Sequence, residues 1–259
     1  MTLLPPDLGT LEATLLVGLS FFTSAITSAV GLGGGVVMLA VLATVAPPAA
    51  VIPVHEVVQF GANVSRSFLM RRHVDRRLLL PFAIGTVIGA GLGALLVVEL
   101  PVEVLRLVLG LFILGTVWGP KFRGRPLSPR GFGLVGLVTS FVTMFVGATG
   151  PFVAAFLDPD RLGRLATVGT HASCMVLQHG LKVAAFTALG FAFLPWLPLL
   201  AAMIGVGFLG TVAGRHLLRR LPERAFAVLF KAVLTILALR LLYDALGAWA
   251  AAGTLPFQP

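Results

Sequence analysis

Apolar runs of about 20 residues, each long enough to cross a bilayer, follow one another along this chain with little between them. They can be read at Leu11–Val30, Ala49–Met70, Leu78–Val98 and Val102–Trp118, then at Gly131–Val146, Ala166–Leu189, Leu194–Leu217 and Pro222–Leu246. Hydrocarbon offers no hydrogen bonds to a backbone, so serial apolar spans of this length must be helices. The pattern predicts an all-α integral membrane protein whose main partner is the lipid bilayer. Composition agrees: 58% of the 259 residues are hydrophobic and only 11% charged, with a mean hydropathy of +1.01. The net charge of +9 sits mostly in short clusters between spans, as orienting charges do, so no nucleic-acid partner is expected. A single cysteine, Cys174, excludes an intrachain disulfide framework and a thiolate metal cluster. The first residues lack the basic stretch of a cleavable signal peptide.

Glycine interrupts the first span. Gly31-Leu32-Gly33-Gly34-Gly35 is followed by Val36–Ala46, which is too short to cross alone. Glycine loses the most backbone freedom on ordering, so four in five residues mark a helix break. Two readings compete: a broken helix that frames a binding site, or close helix packing through small residues. A second interruption occurs at Gly147-Ala148-Thr149-Gly150-Pro151, before the short apolar run Phe152–Leu157.

The two breaks belong to a repeat. A shift of 116 residues places Gly34 on Gly150, His55 on His171, Arg66 on Lys182, Gly89 on Gly205 and Gly91 on Gly207. Both fourth spans open on Leu-Pro, at Leu100-Pro101 and Leu221-Pro222. The expected organisation is a first repeat over 1–120, a basic cytoplasmic linker over 121–130, a second repeat over 131–247 and a tail over 248–259. Positive charge follows the second span of repeat one (Arg71, Arg72, Arg76, Arg77), whereas the loop at Leu189–Pro195 has none. The loop before the fourth span reverses the bias, with Glu99 and Glu103 against Arg215, Arg219, Arg220 and Arg224. By the positive-inside rule this favours inverted repeats of four segments, each starting with a glycine-broken helix or re-entrant hairpin. A parallel arrangement of eight crossings stays open.

Polar residues concentrate in the second span of each repeat. His55, Gln59 and Arg66 share a helical face, with Glu56 and Asn63 alongside; His171, Gln178 and Lys182 form the matching stripe, with Ser173 and His179 beside it. Ionisable residues at membrane depth are expensive and face a cavity or a partner. Arg66 and Lys182 lie near helix ends, so snorkelling to the interface competes with ligand contact. Glu56, matched by Ala172, is either a salt-bridge partner for Arg66 or another cation, or a proton carrier. No nucleophile and base lie on one face, so an enzyme is not expected. His55, His171 and His179 leave a transition-metal transporter as an alternative, and an anion channel is another.

The glycine break, Pro-Val-His-Glu at 53–56, Arg-His-Val-Asp at 72–75 and the glycine-spaced third span (Gly85, Gly89, Gly91, Gly93) resemble the sulfite exporter TauE/SafE family of membrane permeases. The resemblance runs from Leu11 to about Leu246 and implies transport of a sulfur oxyanion or organosulfonate across a bacterial cytoplasmic membrane. Independently of that resemblance, half-helices starting after Gly35 and Gly150 would present their N–H groups to an anion, with Gly33 and Gly34 in the break. Thr149, Gln59, Asn63, Ser173 and Gln178 would donate hydrogen bonds, as would His55 or His171, with Arg66 and Lys182 completing the site. If transport is coupled to protons, His55 and Glu56 would carry them; movement of the anion alone stays open. No cofactor is expected, and transport would proceed by rocking of the two halves.

Overall fold

The computed structural model describes residues 5, 8–30, 33–96, 101–119, 127–147, 149–157, 159–217 and 223–252. Gly31, Leu32, Ala148, linker residues 121–126, Glu99, Leu100, residues 219–222 and the tail from 253 onward lie outside the described residues. Most of the described residues are helical. Helices α1 (Thr10–Val30), α2 (Gly34–Val45), α3 (Pro48–Leu69), α4 (Arg76–Leu96) and α5 (Val102–Trp118) make up the first half. The second half comprises α6 (Pro129–Val146), α7 (Gly150–Ala155), α8 (Pro159–Leu162), α9 (Arg164–Ala188), α10 (Leu197–Leu217) and α11 (Glu223–Ala252).

Among the described residues, five segments are long and apolar enough to cross a membrane, in α1, α4, α6, at 194–214 through α10, and in α11. Leu80, Ile84, Val87, Ile88 and Leu95 form an exposed apolar row on α4, the surface a lipid-facing helix presents. By contrast α3 and α9 have the length to cross but carry the polar stripes, and they pack on each other in the interior. Polar side chains are tolerated at that depth because protein, not lipid, surrounds them.

The most extensive packing joins opposite halves: α4 with α6, α1 with α10, α5 with α11, and α3 with α9. Exchanging the halves maps the first two pairs onto each other and leaves the last two unchanged. Small residues make these seams tight. A Cβ on Gly85 would lie 1.9 Å from the Gly133 carbonyl oxygen, and one on Gly210 would lie 2.1 Å from that of Phe21. Only glycine lets the backbones approach so closely.

One register expected from the sequence is corrected. Helices α7 and α9 start 116 residues after α2 and α3, but α10 and α11 start 121 residues after α4 and α5. The constant shift paired Gly89 with Gly205 and Gly91 with Gly207. Yet Gly89 and Gly207 are packed, while Gly91 and Gly205 have nothing within 4 Å of a Cβ. A longer α9 and a 3-10 turn at Leu194–Trp196 absorb the five extra residues.

Candidate functional site

The first glycine run combines a helix break with close packing, at different residues. Gly33 takes φ 105°, a left-handed conformation that favours glycine, and it precedes α2 without offering a side-chain cap. Of the N–H groups that open α2, that of Val36 bonds the Gly33 carbonyl at 3.0 Å, and those of Gly34 and Gly35 precede the helix's own ladder. Gly34 serves packing instead: its Cβ would lie 2.0 Å from the Thr23 carbonyl oxygen on α1. Gly147 at the second break has φ 83° and a ψ of −36°, matching the ψ of Gly33.

A histidine fixes each break from the long helix that follows. His55 Nε2 donates to the Gly35 carbonyl at 3.0 Å, and His171 Nε2 donates to that of Gly150 at 3.0 Å. These residues enclose a cavity of about 40 Å³, more than the ~10–15 Å³ that one water needs. Of the residues expected at the site, Gly33, Gly35, His55, Gln59, Asn63, Arg66, Gly150 and His171 line it. Thr27, Val36, Pro151, Met175 and His179 line it as well.

Arg66 is the cavity's distinctive charge. It is 3% exposed, so it does not snorkel. Its Nη2 donates to Asn63 Oδ1 at 2.8 Å, and Asn63 Nδ2 donates to the Gln59 carbonyl at 2.7 Å. Buried Nε has no hydrogen-bond partner, and no carboxylate among the described residues pairs with the guanidinium.

Lys182, at the matching position in α9, is placed differently. Fully buried, its Nζ contacts Glu56 Oε2 at 2.5 Å and donates to Thr143 Oγ1 at 3.0 Å and the Gly147 carbonyl at 3.2 Å. His179 Nδ1 donates to the same carboxylate oxygen, and His55 Nδ1 lies 3.4 Å from Oε1. Glu56 thus pairs with Lys182, not with Arg66. Neither Lys182 nor Glu56 lines the cavity, and both stand directly behind it.

The remaining expected residues brace the wall. Gln178 Nε2 donates to Thr139 Oγ1 and Ser140 Oγ at 3.2 and 3.0 Å, while its Oε1 accepts from Thr149 at 3.3 Å. Those bonds tie α6 to the start of α7. Ser173 shares a hydrogen bond with Ser67 at 2.8 Å and lines a separate recess beside Arg71 and Arg76. No group of three or more His, Cys, Asp or Glu is placed to hold a metal ion among the described residues.

Each side of this interior cavity thus holds a helix break stabilised by histidine, within a bundle of membrane-length helices. The family model described as "Sulfite exporter TauE/SafE" matches residues 16–241. The chain belongs to this family. It is a multi-pass membrane protein of a transporter family, and the match takes in both glycine breaks and every cavity residue. A "Probable membrane transporter protein" of Haemophilus influenzae is 29% identical over 198 residues, covering 71% of this chain and 77% of the relative. No solved structure matches.

Sequence reasoning passed over Thr27 and Met175. Thr27 ends a buried row on α1 with Ser20, Thr23 and Ser24, at the three- and four-residue spacing of one helical face. That periodicity was the available signal. Met175 carries no polar signature and occupies, under the 116-residue shift, the position of Gln59.

Proposed function

We propose that this protein is a secondary transporter, not an enzyme, that moves a small sulfur-containing anion across a bacterial cytoplasmic membrane. The observation that carries the reading is Arg66, a buried guanidinium facing the cavity whose Nε has no hydrogen-bond partner and which has no paired carboxylate among the described residues. Arginine stays charged at any working pH, and its fork suits two oxygens of one oxyanion. A buried charge needs a counter-charge, and the transported anion supplies it. The N–H groups at the start of α2 add partial positive charge on the same side. Sulfite, an organosulfonate or a related anion fits a cavity of this size and polarity.

Alternating access takes place around this site, with the repeats inverted across the membrane plane. α1 packs on α10 and α4 on α6, and this interlocking of the two sequence halves favours those pairs as the bodies that move. The test is a thermal-shift series on purified protein with sulfite, methanesulfonate and chloride, followed by uptake into proteoliposomes. A ligand bound only by the folded state raises the melting temperature by mass action. Selective stabilisation by the sulfur anions, lost in Arg66→Gln, supports the reading, and concentrative uptake separates transporter from channel. Equal stabilisation of Arg66→Gln, or stabilisation by divalent metals alone, would overturn it.

A further inference from the structure

Charge balance behind the cavity points to the valence of the anion. Two cations are buried among the described residues, Arg66 on α3 and Lys182 on α9, at positions that correspond between the halves. Glu56 is the one buried carboxylate among them. Its counterpart in the second half is Ala172, so only one of the two cations is neutralised.

The neutralisation is complete at the atomic level. An ammonium group has three protons, and Lys182 Nζ has three acceptors: Glu56 Oε2, Thr143 Oγ1 and the Gly147 carbonyl. Nothing is left for a ligand. Both histidines that meet Glu56, His55 and His179, line the cavity. The carboxylate is therefore one side chain away from the bound anion, within reach of its field. His55 directs its Nε2 proton to the Gly35 carbonyl, and its 3.4 Å separation from Oε1 exceeds a normal N–H···O distance. One proton therefore satisfies that ring.

We propose that Glu56, by cancelling Lys182, leaves the cavity with a single positive charge and thereby selects monoanions over dianions of similar shape. A dianion would bring a second negative charge into a buried site with no counter-charge for it, which is strongly unfavourable. The inference rests on the anion-transporter reading and sharpens its substrate class to singly charged oxyanions, such as a sulfonate. Glu56 is a positioning and charge-setting residue; it does not touch the ligand.

The experiment compares methanesulfonate, a monoanion, with sulfate, a dianion, on the purified full chain at about pH 8, where histidine is neutral. Binding of each is measured by thermal shift and by competition for uptake in wild type, Glu56→Gln and the double variant Glu56→Gln/Lys182→Met. Because the result is the ratio of the two affinities, hydration differences between the probes cancel across variants. Wild type should favour methanesulfonate, and Glu56→Gln should move the ratio toward sulfate by about tenfold or more, since it adds one net positive charge. The double variant removes that charge again and should restore the wild-type ratio. A merely structural role for Glu56 would weaken both probes together and leave the ratio unchanged. If Glu56→Gln does not fold, Lys182→Met decides instead: it leaves the carboxylate without its cation, so the ratio should move further toward methanesulfonate, and an unmoved ratio would overturn the inference. Sulfate bound by wild type as tightly as methanesulfonate, or a ratio unmoved in a folded Glu56→Gln, would overturn the inference while leaving the anion reading intact. Failure of wild type to bind either probe or sulfite would instead overturn the anion reading, and this inference with it.

Discussion

Gly89→Ala and Gly91→Ala place the same methyl group two residues apart on α4, with opposite consequences. At Gly89 the new Cβ would lie 2.1 Å from the Leu137 carbonyl oxygen on α6; at Gly91 nothing lies within 4 Å. An ordinary carbon–oxygen contact is about 3.3–3.6 Å, so α4 and α6 must part by roughly 1 Å. A gap of that size forfeits a quarter to a half of each dispersion contact along the seam, and overpacking of this kind costs about 1–3 kcal/mol. Alanine's helix preference over glycine is common to both variants, so it cancels in the comparison. The predicted difference is therefore about 1–3 kcal/mol, or about 2–12 °C in melting temperature for a chain of this size. Unfolding in detergent, followed by the fluorescence of the three tryptophans at one fixed scan rate, measures it. Gly210→Ala and Gly205→Ala repeat the comparison on α10, where the distances are 2.1 Å to the Phe21 carbonyl oxygen and open space. Loss of stability in Gly91→Ala as large as in Gly89→Ala would refute the reasoning, since packing would then not distinguish the two glycines.

Lys182→Met leaves Glu56 buried without its ammonium partner and should destabilise the protein by about 3–5 kcal/mol, read as a lowered melting temperature. Thr143→Val removes one acceptor of the same ammonium and should cost about 1–3 kcal/mol; recovery of that loss in a Lys182→Met background would confirm that the two act as one unit. His171→Phe deletes the bond to the Gly150 carbonyl and should weaken anion binding more than it lowers the melting temperature. Cys174 is fully buried, so a maleimide should label it only after denaturation, which mass spectrometry resolves.

Much of the fold was legible because hydrophobicity and glycine act locally. The ends of α1, α3 and α5 fall within a residue or two of the apolar runs, since loss of apolar character and loss of helix coincide there. The site was legible in part for a similar reason: His55, Gln59 and Arg66 announce themselves by polarity at helical spacing. Pairing across helices was not legible. Nothing local to Glu56 says that its cation is Lys182, because α3 and α9 meet only through the tertiary fold. The same holds for Gln178, whose polarity suggested a ligand contact and whose bonds go to Thr139, Ser140 and Thr149. The five-residue offset at α10 was hidden because glycines recur often enough in the third spans to match in either register.

The exchange of helices between halves also sets an order of assembly during synthesis. Helix α4 finds its partner α6 soon after it leaves the ribosome, but α1 ends at Val30 and its partner α10 begins at Leu197. At about 5–20 residues per second, α1 waits on the order of ten to thirty seconds in the bilayer without that partner. Through that interval the carbonyls of Phe21 and Ala25, which the glycines of α10 later approach, and the neighbouring row from Ser20 to Thr27 await their cover. A chain arrested before residue 197 therefore carries an unfinished seam, one that a membrane chaperone or protease can tell from the finished molecule.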